Sequence, residues 1–197
     1  KQGATAPGLA AGRMDDPELA AQALRDGRCD MIGLARPLLT EPDYVRKVRN
    51  DELALIRPCL CCHEGCFGRA FDGAVGSCAV NPECARERRV GITPAAEKKR
   101  VVVVGGGPAG LEAARVSALR GHAVTLLAAS DALGGALKPA GVPHFKQADR
   151  DLVAWYAATL AHLGVDVRLN TRADKVLLAS LKPQTVFVAE GSAPRTL

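Results

Sequence analysis

Residues 101–110 read Val-Val-Val-Val-Gly-Gly-Gly-Pro-Ala-Gly, and the fold follows from how the first part of this stretch passes into the second. Four β-branched residues in a row suit a strand buried on both faces, as parallel sheets require. Gly105, Gly107 and Gly110 then space out as G-x-G-x-x-G, and Leu111, Ala114, Val116, Ala118 and Leu119 continue at helical intervals. Strand, glycine turn and helix in that order form a Rossmann-like dinucleotide fingerprint. Gly105 permits the turn, Gly107 leaves room for a pyrophosphate, and Gly110 lets the helix lie close on the strand.

Working outward from the turn, Ala123 to Leu127 reads as the second strand of the unit. Such a strand ordinarily ends in Asp or Glu, which grips the ribose hydroxyls. The position holds Ala128, with Ser130 or Asp131 as substitutes that could reach the ribose. Asp151 to Leu163 is an amphipathic helix with Leu152, Trp155, Tyr156 and Leu160 toward the core, closed by Gly164. Val165, Val167 and Leu169 alternate with polar residues as in an edge strand, and Val186 to Ala189 forms another short strand.

Before the turn lies a charged linker, Glu83 to Lys99, where Arg86, Arg88, Arg89, Lys98, Lys99 and Arg100 mingle with Glu83, Glu87 and Glu97. The net charge of +5 is modest, and no recognition motif or interleaved aromatic accompanies it. A solvated linker is the expectation, and no nucleic-acid partner.

Upstream of the linker, residues 58–82 read PCLCCHEGCFGRAFDGAVGSCAVNP. Thiols this dense, in a chain without a secretory signal, point to a metal rather than to disulfides. Cys59, Cys62, Cys66 and Cys78 give Cys-x2-Cys-x3-Cys-x11-Cys. Structural zinc usually takes two close pairs of ligands, so three-plus-one suits a cubane iron-sulfur cluster better, with one thiolate for each iron. Cys61 is a rival for Cys62 and His63 a weaker candidate; both are read as packing residues beside the cluster.

The first part of the chain alternates strand, helix, strand, helix. Pro7 to Ala11 enters a loop at Gly12 and Arg13, and Asp15 or Asp16 caps a helix begun by Pro17. Met31 to Leu34 leads into Ala35, Arg36 and Pro37, and Thr40 is expected to cap a helix through Tyr44, Val45 and Val48. Two βα units of a parallel sheet place their functional loops after the strands, where backbone amides and an arginine fork commonly hold phosphate.

Taken together, three motifs in one order resemble the iron-sulfur flavoenzymes related to Old Yellow Enzyme, the group of 2,4-dienoyl-CoA reductase, 2-enoate reductase and trimethylamine dehydrogenase. The motifs are Gly-Arg with Gly-x-x-Arg-Pro, the cysteine loop ending in Cys-Ala-Val-Asn-Pro, and the glycine turn. The resemblance implies an α/β chain in three parts: the C-terminal βα units of a TIM barrel (1–56), a 4Fe-4S cluster loop and linker (57–99), and an incomplete Rossmann-like FAD/NAD(P)-binding domain (100–197). It puts FMN phosphate at Gly12, Arg13, Gly33, Leu34, Ala35 and Arg36, and FAD at Gly105, Gly107, Ala109, Gly110 and Gly135.

Three positions depart from the family's pattern: Ala128, Ala136 after the Gly134-Gly135 pair, and Glu190 in place of a threonine. They imply weakened FAD retention, or ADP alone. By the same resemblance electrons pass from NAD(P)H to FAD, then the cluster, then FMN, which reduces the activated C=C bond of an enoate or enoyl thioester. The string Cys-His-Glu-Gly-Cys favours the enoate reductases; alternatives are an amine dehydrogenase and a non-catalytic electron-transfer module. The catalytic acid belongs to barrel strands absent from this sequence, so the remainder of the flavin barrel is an implied partner, with a homo-oligomer also compatible.

Length and composition fit this reading. At 197 residues, 48% hydrophobic and 24% charged, the chain is an ordinary globular protein of one or two domains. No apolar run is long enough to cross a bilayer and no signal-peptide pattern opens the chain, so a cytoplasmic location without membrane contact is expected. The missing initiator Met and the start in mid-domain predict a fragment of a longer chain.

Overall fold

A computed structural model describes residues 5–192. Residues 1–4 and 193–197, the outer ends of the barrel and nucleotide segments, lie outside the described residues. The chain divides between Glu87 and Arg88 into two compact units.

In the first unit β1 (Leu9–Ala11) and β2 (Met31–Gly33) pair in parallel, with Leu9 opposite Met31 and Ala11 opposite Gly33. The crossover between them is α1 (Pro17–Arg25), which starts as the sequence predicts: Asp16 accepts from the backbone N–H groups of Glu18 and Leu19, and Pro17 fills the first turn. Next come α2 (Arg36–Thr40) and α3 (Tyr44–Arg49). Here one expectation is overturned, because Thr40 does not cap α3 but closes α2. Only 2% exposed, Thr40 donates its hydroxyl to the Arg36 carbonyl four residues back at 3.2 Å. A buried hydroxyl needs a partner, and the helix's own carbonyl is the nearest.

Behind these helices sits a buried ion pair between Glu41 and Lys47, whose side chains are 8% and 15% exposed. Glu41 also accepts from the N–H groups of Asp43 (3.2 Å) and Arg57 (3.3 Å), while Lys47 donates to the Leu55 carbonyl at 2.7 Å. The pair thereby fixes where the chain enters the cysteine loop. After a 3-10 turn at Leu53–Leu55, that loop carries one π-helical turn, Glu64–Gly68, and α4 (Arg69–Phe71). A short helix, α5 (Glu87–Val90), forms within the stretch read as linker.

The second unit is built on a four-stranded, wholly parallel sheet. Its strands are β3 (Arg100–Val104), β4 (Ala123–Leu127), β5 (Asp166–Arg168) and β6 (Thr185–Val188), in the order β5-β4-β3-β6. Between them run α6 (Pro108–Leu119), α7 (Leu137–Ala140), α8 (Gln147–His162) and α9 (Lys175–Leu181). Val103, Leu111, Leu126 and Leu160 are fully buried. On the side of Val102, Val104 and Leu127, α9 contributes Leu177, Leu178 and Leu181.

Helix α8 starts four residues before the expected Asp151, and Leu152, Trp155, Tyr156 and Leu160 are buried as predicted. The Tyr156 hydroxyl donates to Glu112 (3.2 Å), which also receives a two-pronged contact from Arg115 at 2.7 and 2.8 Å. That gives the Tyr156 hydroxyl and the Arg115 guanidinium, both on buried residues, a shared acceptor between α6 and α8. No helix among the described residues is long and apolar enough to cross a membrane.

Candidate functional site

The cysteine loop is held at both ends. Arg57 donates through Nη1 to the Val80 carbonyl at 2.9 Å, and the Asn81 side-chain amide donates to the Leu39 carbonyl at 2.8 Å. In the middle, the Ser77 N–H donates to the Gly65 carbonyl at 2.7 Å. A Cβ at position 65 would lie 2.7 Å from Ser77 Oγ and 2.8 Å from its carbonyl oxygen, so only glycine allows this approach. The pairing sets Cys78 back beside the turn that carries Cys66. Two residues that are not glycine, Cys61 (φ 53°) and His63 (φ 62°), adopt the left-handed conformation as the chain winds into the π turn. Such turns are concentrated at functional sites.

As a result Cys59, Cys62, Cys66 and Cys78 line one cleft, together with Cys61, His63, Leu39, Thr40 and Arg36. Its empty volume is about 350 Å³, part of it open to solvent. All seven cysteines are free thiols, and Thr40 Oγ1 lies 3.6 Å from Cys78 Sγ. Burial, and then the adjoining Cys59 sulfur, push the Cys61 thiol up. Cys84, outside the cleft lining, is buried and likewise pushed up by burial and then by Cys78.

No three His, Cys, Asp or Glu side chains among the described residues converge closely enough to hold one metal ion. A single zinc would need four sulfurs about 2.3 Å from one centre. A cubane iron-sulfur cluster takes one thiolate per iron, and four thiols line this cleft.

A second cleft, of about 560 Å³ and wider open, is lined by Ala11, Gly12, Arg13, Met14, Gly33, Leu34, Ala35, Arg36 and Pro37. These are the ends of β1 and β2, and all six residues expected to meet a phosphate are brought together there. Gly12 has φ 105°, a conformation that disfavours any side chain, and Arg13 follows in the left-handed region at φ 53°. Among the described residues Arg13 makes no hydrogen bond. The Arg36 side chain makes one, from Nη1 to His63 Nε2 at 2.8 Å. Arg36 lines both clefts, so the cysteine loop and the loops at the ends of β1 and β2 share a side chain.

In the second unit the glycine turn is assembled as the spacing predicts. Gly105 (φ 117°) donates to the Leu127 carbonyl, and a Cβ there would meet the Ala189 oxygen at 2.1 Å. Gly110 packs on Gly105, where a Cβ would lie 1.9 Å from its oxygen. Gly134 donates to the Gly106 carbonyl, and Gly135 (φ 50°) comes against Gly107 so closely that a Cβ at 135 would lie 2.7 Å from Gly107 Cα. Gly105, Gly107, Ala109, Gly110 and Gly135 therefore share one turn at the start of α6.

Gly107 is different, since a Cβ on it would have Gly135 at 3.8 Å as its nearest neighbour. The chain's own packing does not require glycine there, whereas a pyrophosphate does. On the ribose side Ala128 is 1% exposed and packs under Gly106. Ser130 donates its hydroxyl to the Ala132 carbonyl at 2.7 Å, and Asp131 pairs with Lys138 at 3.3 Å. The turn leaves Gly107 open and places no carboxylate at the end of β4.

Sequence reasoning missed the Arg36–His63 contact, because 27 residues separate the partners and neither motif signals the other.

Comparison with known proteins agrees with both halves of this geometry. Residues 79–193 match the pyridine nucleotide-disulphide oxidoreductase family and residues 1–53 the NADH:flavin oxidoreductase / NADH oxidase family. A cinnamate reductase from Clostridium sporogenes is 49% identical over 97% of this chain and 29% of its own length. An N,N-dimethylglycine/sarcosine dehydrogenase from Chromohalobacter salexigens is 39% identical over 95% of this chain and 28% of its own. A solved 2-naphthoyl-CoA reductase superposes with a TM-score of 0.95 at 35% identity, covering 99% of this chain and 30% of that one. The chain thus spans about three tenths of the length of these relatives. On the strength of both matches and the glycine turn, the chain belongs to the oxidoreductase group related to Old Yellow Enzyme that takes in the enoate reductases and trimethylamine dehydrogenase.

Proposed function

We propose that this chain carries the cofactor-holding part of a flavin-dependent reductase acting on the activated C=C bond of an unsaturated acid or its thioester. One observation carries the reading: four cysteines line a cleft that shares Arg36 with the loop cleft at the ends of β1 and β2. The 49% identity to a cinnamate reductase supports the choice of substrate class. When bound, a flavin supplies chemistry in single electrons or in pairs, whereas an iron-sulfur cluster supplies it one electron at a time.

The chain's own residues have separate tasks. Cys59, Cys62, Cys66 and Cys78 supply one thiolate each to a 4Fe-4S cluster. Arg13 and Arg36 form the charged walls for the FMN phosphate, with Gly12, Gly33, Leu34 and Ala35 giving backbone access. Gly105, Gly107, Ala109, Gly110 and Gly135 cradle the pyrophosphate of an adenine dinucleotide. Because Ala128 offers the ribose no carboxylate, FAD is held weakly there or gives way to ADP. The proton donor to the substrate lies on other strands of a barrel to which β1 and β2 belong.

A second reading, an amine dehydrogenase passing electrons to an external acceptor, is favoured by the missing ribose acid and by the similarity to a sarcosine dehydrogenase. Anaerobically purified natural polypeptide separates the two. NADH should bleach its flavin, with colour returning on addition of cinnamate; bleaching by a methylated amine and not by NADH would favour the second reading. Metal analysis should give iron with acid-labile sulfide, and zinc without sulfide would sink both.

A further inference from the structure

The contact between Arg36 and His63 lies in the cysteine cleft, and Arg36 carries it to the second cleft as well. Arginine only donates hydrogen bonds, so His63 Nε2 must accept at 2.8 Å and the ring proton must sit on Nδ1. This fixes one arm of the Arg36 fork. The remaining donors are left without other partners among the described residues, at the mouth of the cleft that also holds Gly12 and Arg13.

His63 is exposed, but its backbone and ring both have partners. Its backbone is left-handed at φ 62°, and its carbonyl accepts from Gly68 N–H at 2.7 Å to close the π turn. Its ring meets Phe67 edge-on at 5.8 Å, and Phe67 in turn meets Phe71 at 4.8 Å. A flexible arginine thus meets a residue whose backbone is tied into the π turn, one position after Cys62. Fixing a fork in advance spares a ligand the entropy of ordering it, and a bidentate phosphate contact depends on the fork's orientation.

We propose that His63 is a positioning residue for phosphate recognition: by holding Arg36, it lets the cysteine loop set the orientation of the fork that receives the phosphate of FMN. This rests on the reading of the β1–β2 cleft as the FMN-phosphate site. It assigns His63 a task distinct from ligating metal, and it makes flavin selection depend on the phosphate end of the ligand.

The test uses the natural polypeptide stripped of FMN and titrated with FMN and with riboflavin, which lacks the phosphate, by fluorescence quenching. H63F keeps a ring for Phe67 but removes the acceptor, and H63Q keeps an acceptor. Iron per chain is measured in each to show that the loop is intact. FMN affinity should fall about tenfold in H63F, the usual scale for losing a hydrogen bond to a charged group. Riboflavin affinity should not change, H63Q should recover most of the loss, and H63F should add nothing in an R36M background.

Equal weakening of FMN and riboflavin, or loss of iron along with FMN in H63F, would mark the effect as general loop damage and overturn the proposal. Full FMN affinity in H63F alongside a large loss in R36M would overturn it too, while leaving the FMN site standing. If R36M itself binds FMN normally, the phosphate-site reading fails, and this inference with it.

Discussion

Two glycines three residues apart give opposite predictions when replaced by alanine. At Gly110 the new Cβ would lie 1.9 Å from the Gly105 oxygen, 3.0 Å from its carbon and 3.4 Å from Val103 Cγ1. Helix α6 would have to back away from β3 by roughly 1 Å, and overpacking of this kind costs about 3 kcal/mol. At Gly107 the backbone is extended (φ −83°, ψ 176°), and the nearest atom to a new Cβ is 3.8 Å away. Alanine there loses about 0.7 kcal/mol as a helix cap but gains about 0.4–1 by restricting the unfolded chain, so the net change is within about 0.5 kcal/mol. With a urea dependence of about 2 kcal/mol per molar, the unfolding midpoint should drop by about 1.5 M for Gly110→Ala and move by less than about 0.3 M for Gly107→Ala. Calorimetric titration should give the reverse order of interest: ADP or NADH binding should fall at least about tenfold in Gly107→Ala, because the methyl occupies the space of the pyrophosphate. The reasoning fails if Gly107→Ala unfolds as easily as Gly110→Ala, or if it is stable and still binds ADP as the unaltered chain does.

Other consequences can be checked separately. Lys47→Met strands the Glu41 side chain, 8% exposed, without its ion-pair partner; a loss of about 3–5 kcal/mol is expected, and the double change to Glu41→Leu with Lys47→Met should recover most of it in the same denaturation assay. Cys62→Ser should remove cluster iron, measured per chain, whereas Cys61→Ser should leave about four irons in place; iron lost only in Cys61→Ser would exchange the two assignments. Tyr44 donates its hydroxyl to the Asp15 carbonyl at 3.1 Å, and burial first, then Asp15 and Asp16, raise its pKa above the ordinary 10.0. The native state therefore holds this proton more tightly than the unfolded chain. The resulting stabilisation is complete below pH 10.0 and lost as pH climbs through the folded value, so Tyr44→Phe should flatten the alkaline limb of a stability–pH curve.

How much of this could be read from sequence depended on whether the signal was local. The strand at Ala123–Leu127 falls where its apolar run places it, and the buried face of α8 follows from 3.6-residue periodicity. Asp16 and Pro17 together gave a start signal that the structure keeps. Thr40 misled because it has the chemistry of a cap, yet its neighbours make it the end of one helix rather than the beginning of the next. Helix α9 was overlooked although Asp174 accepts from Leu177 N–H at 2.8 Å as its cap; the helix is seven residues long, with too few turns to establish a period. At the site, spacing alone led to the four cysteines and the glycine turn. The left-handed backbone at Cys61 had no signature, since cysteine is not a residue that marks it, and at His63 the signal was only a weak enrichment of histidine there. The hydrogen bond from Arg36 to His63 depends on how two loops are folded, which no local pattern encodes.

The contact between Gly65 and Ser77 has a consequence for how freely this region can vary. Because backbone groups tie the base of the 67–77 excursion, its length is nearly irrelevant to the geometry beneath it: doubling it would cost only about 0.6 kcal/mol in chain entropy. Insertions and deletions at its tip, where Gly73 and Gly76 have open space around them, should be accepted by natural or laboratory evolution. Position 65 has no such latitude, and a library randomised from position 65 through the excursion should return many lengths but a single residue at 65.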